Sequence, residues 1–167
     1  AIIEKRATPG GNSSLSTGSI PGAGSHFQVA AGIKDSPEQM ISDPTAVAGD
    51  HDANNITSLI AHECGRLCEW LIDDLGARME LITDYRHIGH SVERLHAPKS
   101  RRGQDLVDDL LKFVAERDIP LAVGNAAEQL LTNKDGDVIG AVVAGVDIFS
   151  EQVLLATNGF AANRDLV

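Results

Sequence analysis

The feature that most constrains this chain is an apolar start that ends in a carboxylate and runs on into paired glycines: Ala1-Ile2-Ile3-Glu4-Lys5, then Pro9-Gly10-Gly11-Asn12-Ser13-Ser14. A short apolar run bounded by Gly and Pro reads as a strand. A strand that ends beside a glycine loop suits sheets whose ligands sit beyond the strand ends. The far end repeats the device: Glu151-Gln152-Val153-Leu154-Leu155-Ala156 reads as a second apolar strand, broken by Thr157-Asn158-Gly159-Phe160.

Each piece has a physical use. A carboxylate at the end of a parallel strand, here Glu4, is placed to accept hydrogen bonds from ribose hydroxyls. Gly10 and Gly11 let the backbone pass close to a bulky ligand and leave N–H groups free to point at its oxygens. Asn12, Ser13, Ser14 and Thr17 add short polar side chains. Taken singly, the same residues fit a plain turn and a solvated strand end; the combination carries the expectation.

Composition narrows the partners. The formal charge of -10, from 24 acidic against 14 basic residues, sets the chain against nucleic acid and anionic membranes. Its length of 167 residues suits about one domain, and aromatics at 4% leave the core to Leu, Ile, Val and Ala. No apolar stretch reaches the roughly 18 residues that a membrane span needs. The first residues lack the order of a signal peptide, so the expected location is cytoplasmic.

Along the chain, residues 15 to 36 are rich in Gly, Ser and Ala and read as an extended, ligand-facing loop. Ser36-Pro37-Glu38 starts a helix, with Ser as cap and Pro in the first position, that is expected to stop before Asp43-Pro44. A longer helix comes next, capped by Asn54 or Asn55, with Ile56, Leu59, Ile60, Cys64, Leu67, Cys68, Leu71, Ile72 and Leu75 at helical spacing and Gly76 at its end. Cys64 and Cys68 fall on that stripe and read as core, where free Cys acts as a small hydrophobe. Zinc sites usually recruit four ligands, so no metal is assigned here.

Met79-Glu80-Leu81-Ile82 reads as a strand, followed by a polar loop holding Tyr85, His87, His90, Arg94 and His96. These histidines lack a metal-binding spacing with a carboxylate, and no metal is assigned to them either. Gly103 opens an amphipathic helix with Leu106, Val107, Leu110, Leu111 and Val114 on one face and Asp105, Asp108, Asp109 and Glu116 in water. Its N-terminus is a place where an anion is favoured. Leu121-Ala122-Val123 and Gln129-Leu130-Leu131-Thr132 read as strands, and Asn133-Lys134-Asp135-Gly136-Asp137 as a hairpin turn into residues 138 to 143. Residues 148 to 156 are expected to return to the main sheet. Patterning alone supports an α/β or α+β mixture.

In order and spacing, these residues resemble the FAD-binding domain of the fumarate reductase and succinate dehydrogenase flavoprotein family, flavocytochrome c-like members included. The matches are Glu4-Lys5, Gly10-Gly11-Asn12-Ser13, Ser16-Thr17-Gly18, the Arg94-Leu95-His96-Ala97-Pro98 segment with Gly103 after it, and Ala156-Thr157-Asn158-Gly159-Phe160. The resemblance implies an α/β fold: a Rossmann-like FAD-binding domain over residues 1 to 167, with its first βα unit missing, a β-meander, and no capping or substrate domain. It implies FAD as cofactor, held by Glu4, Lys5, Gly10, Gly11, Asn12, Ser13, Thr17, Gly18, Arg94, His96, Gly103, Thr157, Asn158 and Gly159. Two departures stand out. Asn158 replaces the first glycine of the family's Gly-Gly turn, and no Gly-x-Gly-x-x-Gly occurs.

The same resemblance implies the function of an FAD-dependent oxidoreductase that moves a hydride between flavin and an organic acid, as in fumarate reduction, with an electron donor or acceptor as second partner. It puts the catalytic residues beyond the Ala156 to Gly159 turn, so none is assigned. The alternatives are a relative that dehydrogenates a steroid or a tricarboxylate, and a non-catalytic fragment that never binds flavin. Without the pyrophosphate-holding glycine loop the chain alone is expected to bind FAD weakly, and to self-associate through an exposed sheet edge.

Overall fold

The computed structural model describes residues 1–49, 55–159 and 164–165. Its elements run β1 (Ile2–Glu4), α1 (Gly11–Leu15), β2 (Ile20–Pro21), α2 (His26–Ala30), α3 (Pro37–Ala48), α4 (Ile56–Glu69), β3 (Met79–Leu81), β4 (Leu95–Pro98), α5 (Gly103–Glu116), β5 (Leu121–Val123), β6 (Ala127–Thr132), β7 (Val138–Val143) and β8 (Val146–Phe149). They gather into two compact units. Ala1–Pro9 joins the chain from Pro120 onward in a strand unit, and Gly10–Ile119 forms a core unit. No helix among the described residues is long and apolar enough to cross a membrane.

The core unit is built around β4, which lies between β2 and β3 in an antiparallel sheet, with His96 opposite Ile20 on one side and Leu81 on the other. Every residue of β4 is buried. Its apolar core forms three clusters: Leu71, Ala77, Met79 and Leu106; Ala23, Met40 and Ala61; Ile82, Leu95 and Ala97. The stripe on α5 behaves as its periodicity predicts, Leu106 and Val107 being buried. Asp109, expected in water, instead accepts hydrogen bonds from the Arg78 backbone N–H and Nε, each at 2.8 Å.

Several expectations change here. Ser36 caps α3 as read, its hydroxyl accepting from Gln39 N–H at 3.2 Å, but the helix does not stop at Asp43. It continues through Pro44 to Ala48. An internal proline removes a helical bond and costs about 3 kcal/mol. Asp43 is tied into the interior by Arg94 and Ser91, and the Thr45 hydroxyl donates to the Ile41 carbonyl next to the break. Long-range bonds thus outweigh the local stop signal.

The second correction concerns α4. Asn55 is left-handed and makes no capping bond; Asn54 lies outside the described residues. The helix buries Ala61, Gly65 and Cys68, a face of small residues. The larger side chains of the same expected stripe, Ile56, Leu59, Ile60 and Leu67, remain exposed. Close backbone approach explains the choice, since a Cβ on Gly65 would overlap the Ala23 carbonyl oxygen and one on Gly22 would lie 2.9 Å from Cys68 Sγ. After Glu69 the helix widens into one π turn, Trp70–Asp74, before Gly76 ends it at φ 69°.

Residues 15 to 36 are not simply a loop facing outward. They contain β2 and α2, and Gly22, Ala23, Ser25 and Gln28 are buried. Likewise the polar loop does not expose Arg94 and His96: both are wholly buried, Arg94 in the segment just before β4 and His96 within β4.

In the strand unit, β1 and β5 pair in parallel, Ile2 opposite Leu121 and Glu4 opposite Val123. The strands β6, β7 and β8 form the expected meander. Asn133 Oδ1 accepts from the N–H groups of Asp135 and Asp137, both at 2.9 Å, which is how Asn closes a turn. A second hairpin comes at Ala144 and Gly145, with φ of 49° and 76°, the left-handed pair that a tight two-residue turn requires. That turn folds β8 back onto β7, so residues 148 to 156 do not return to the β1–β5 sheet, and residues 150 to 159 hold no strand. The sequence signal Ala144-Gly145 is weak because Ala rarely accepts positive φ.

Candidate cofactor site

The fourteen candidate positions divide between the units, so each half is described by itself. In the strand unit, Glu4 is half-buried at the carboxyl end of β1. Its Oε1 accepts from Arg6 N–H at 2.7 Å, while Oε2 has no hydrogen-bond partner among the described residues. The strand ends are fixed around it: Asn125 N–H donates to the Glu4 carbonyl at 3.0 Å and Gly124 N–H to the Arg6 carbonyl at 2.9 Å. Lys5 is exposed. Thr157, Asn158 and Gly159 are exposed too, and Asn158 takes φ 69°, the conformation a glycine there would supply. Asn is among the few side chains that tolerate it.

In the core unit, the polar loop splits by role. Gly10 adopts φ 123°, and a Cβ there would lie 2.9 Å from Ser14 Cβ. Gly11 faces open space. Asn12, Ser13 and Thr17 are exposed; the Thr17 hydroxyl is 3.0 Å from that of Ser19, and the side chains of Asn12 and Ser13 have no hydrogen-bond partner among the described residues. Gly18 and Gly103 are packing glycines. A Cβ on Gly18 would be 2.9 Å from Gly103 Cα, and one on Gly103 would overlap the Ser13 carbonyl oxygen. The Gly103 N–H donates to the Ser16 carbonyl at 2.8 Å. The α5 N-terminus therefore seats the Ser13 to Gly18 backbone.

Arg94 and His96 are committed to the interior. The Arg94 guanidinium donates to both oxygens of Asp35, at 2.9 and 3.0 Å, and to Asp43 Oδ2 at 2.7 Å. Asp43 also accepts from the Ser91 N–H, the Ser91 hydroxyl and Gln39 Nε2. Gln28 Nε2 donates to Asp35 and to the Glu93 carbonyl. Burial alone would push the Asp43 carboxyl up, but hydrogen bonds from the Ser91 backbone, Gln39, Arg94 and the Ser91 hydroxyl outweigh it and hold it at about 2. His96 Nε2 lies 3.0 Å from the Ser25 hydroxyl, and Nδ1 lies 3.1 Å from the Arg94 carbonyl oxygen. Burial lowers its pKa, so the imidazole is neutral. With Nδ1–H donating to the Arg94 carbonyl, Nε2 accepts from Ser25. Sequence reasoning missed Asp35, Asp43, Gln28 and Ser25, since nothing local ties them to Arg94.

The cysteines are free thiols, Cys68 buried and Cys64 half-buried. Burial pushes the Cys68 thiol up to about 12, which keeps it protonated and inert. Among the described residues no group of three or more His, Cys, Asp or Glu is arranged to hold a metal ion.

These features fit a flavin dinucleotide in part. An open glycine with free polar side chains and a strand-end carboxylate with a spare oxygen are suited to it; Arg94, His96 and the Gly103 amide are already engaged. Comparison with known proteins agrees. The model of the FAD binding domain family matches residues 1–166, and the chain belongs to that family. A probable fumarate reductase, Ifc3, of Shewanella frigidimarina is 30% identical over 99% of this chain and 29% of its own length. An NADH:fumarate oxidoreductase of Klebsiella pneumoniae is 29% identical over 99% of this chain and 18% of its own. The open conformation of a flavocytochrome c3 fumarate reductase superposes with a TM-score of 0.75 at 29% identity, over 86% of this chain and 25% of that one. The chain thus spans less than a third of the length of each of these three proteins. The resemblance read from the sequence holds, the α/β fold is that of flavoprotein relatives, and FAD is the family's cofactor.

Proposed function

We propose that this chain is the cofactor-holding part of an FAD-dependent oxidoreductase that exchanges a hydride between flavin and an organic acid, with fumarate reduction as the nearest reaction. Bound FAD supplies the hydride chemistry. The chain's own task is to hold and orient it. Glu4 accepts from the ribose through its spare carboxylate oxygen, and Lys5 offers an exposed cation beside it. Gly10 and Gly11 bring the backbone close, with Asn12, Ser13 and Thr17 as polar contacts. Thr157, Asn158 and Gly159 supply a second turn. Gly18 and Gly103 pack the loop against α5, while Arg94 and His96 hold Asp35, Asp43 and Ser25 in the interior of the core unit.

The observation that carries this reading is the Glu4 carboxylate at the carboxyl end of a parallel strand, where ligands of such sheets sit, with one oxygen unused. The second partner is an electron donor or acceptor, the location cytoplasmic, and self-association runs through the exposed strands of the strand unit. Purifying the protein that carries this sequence tests the reading. Stoichiometric flavin retained through desalting, and re-oxidation of the reduced flavin by fumarate, are the expected results. A colourless protein that takes up no FAD overturns the cofactor reading; bound flavin that fumarate leaves reduced overturns the substrate reading alone.

A further inference from the structure

The turn at Asn158-Gly159 departs from the family's paired glycines, and its geometry has a chemical consequence. The Gly159 amide nitrogen lies 2.7 Å from Asn158 Oδ1 and donates to it. A carbonyl bond is about 1.23 Å long, so Asn158 Cγ is no further than about 3.9 Å from that nitrogen. The side-chain carbonyl is thus folded back onto the following N–H, from which a small side-chain rotation carries Cγ to the roughly 3 to 3.5 Å at which bonds form. Asn158 is held at φ 69°. Glycine comes next, and among the described residues nothing lies within 4 Å of where a Cβ would be, so residue 159 itself adds no side chain beside the nitrogen. Both residues are exposed to water.

We propose that Asn158-Gly159 is a self-modification site at which the fold promotes deamidation. Solvent base removes the Gly159 N–H proton, and the nitrogen attacks Asn158 Cγ to close a cyclic imide. The Cγ–Nδ2 bond breaks, and Nδ2 leaves as ammonia after taking a proton. Water then opens either imide carbonyl, leaving aspartate or isoaspartate at position 158. The step needs no oxidant, reductant or co-reactant other than water. It replaces a neutral amide by a carboxylate, in a chain already at -10.

Other asparagines are differently placed. No other asparagine in the chain precedes glycine; Asn12, Asn54, Asn55, Asn125, Asn133 and Asn163 precede Ser13, Asn55, Ile56, Ala126, Lys134 and Arg164. Asn133 Oδ1 is turned towards the N–H groups of Asp135 and Asp137, and Asn125 Nδ2 is held on the Val123 carbonyl at 2.6 Å. Selectivity for one site is therefore part of the inference.

The reaction is read by mass, so the test needs no activity of the loaded enzyme and is run on protein freed of flavin, because the proposed cofactor contacts at Asn158 and Gly159 would cover the site. The purified protein is kept warm at mildly alkaline pH, and peptide mapping by mass spectrometry tracks each asparagine, with an isoaspartate assay on the digest. A synthetic peptide of residues 154 to 160 is treated in parallel. Position 158 is expected to convert about tenfold or more faster than any other asparagine, the scale that orientation alone readily supplies. It should also convert faster than the peptide, and Gly159→Ala should slow it by a similar factor. Conversion in the protein no faster than in the peptide overturns promotion by the fold. Leading conversion at another asparagine, or an unchanged rate in Gly159→Ala, overturns the site.

Discussion

The core unit and the strand unit are built on opposite terms. Between Gly10 and Ile119, three apolar clusters and a buried guanidinium with two carboxylates hold a small sheet and its helices. In the strand unit, Val143 is the one buried hydrophobic side chain among the described residues, and all of β8 is exposed, Phe149 by 69%. The difference separates candidate ligands from scaffold. Where the interior is dense, polar groups are spent on one another: Arg94 on Asp35 and Asp43, His96 on Ser25, the Gly103 amide on Ser16. Groups free to meet a cofactor are exposed or half-buried: Gly11, Asn12 and Ser13 in the core unit, Glu4 and the Asn158 turn in the strand unit.

The largest break in that comparison is Arg94→Met. It leaves two carboxylates buried and unpaired, and removal of one partner from a buried pair costs about 3 to 5 kcal/mol. Denaturant unfolding should show the loss, while hydrogen exchange should find it confined to amides of residues 10 to 119. Loss of protection in β6 to β8 to the same degree would mean that the two regions are not energetically distinct.

Acid should sharpen the contrast next. The Asp43 carboxyl is held at about 2 against an ordinary 3.8. The folded state therefore favours the ionised form, and the stabilisation is complete above about pH 4 and lost as pH falls through 2. The shift corresponds to about 2 kcal/mol. An acid titration of stability should lose this dependence in Asp43→Asn; the same slope in that variant would place the effect elsewhere.

Gly103→Ala comes third. Its Cβ would overlap the Ser13 carbonyl oxygen, and such overpacking costs about 2 kcal/mol. Stability within error of the parent, by denaturant midpoint, would refute the close approach of α5 to the polar loop. The smallest effect belongs to the strand unit: Phe149→Ser, at an exposed position, should move stability by no more than about 0.5 kcal/mol. A larger loss would show that β8 is covered in solution.

How much of the fold was legible in the sequence depends on the range of the forces. Helix α5, the Asn133 turn and β5 to β7 were readable because their signals are local, in periodicity or in turn chemistry. Pro44 misled because what carries α3 past it is the bond from Asp43 to Arg94, 51 residues away in sequence. On α4 the periodic large residues pointed to the wrong face. Only the tertiary approach of Ala23 to Gly65 shows why the small residues are inside. In the candidate site, Glu4 and the Gly10 to Ser13 loop could be read from strand-end and glycine chemistry. The commitments of Arg94, His96 and Gly103 could not, since their partners lie far along the chain.

The central claim is that the strand-end carboxylate, and not the buried basic residues, is a direct ligand of the cofactor. Titrating FAD into apoprotein of the protein that carries this sequence tests it, with Glu4→Ala and Glu4→Gln beside the parent. A bond to a charged group is worth about 1.5 to 3 kcal/mol, so Glu4→Ala should raise Kd by about ten- to a hundredfold. Glu4→Gln, which keeps a neutral acceptor, should fall between the two. An unchanged Kd in Glu4→Ala would contradict the account, because the ribose would then be held by some other group.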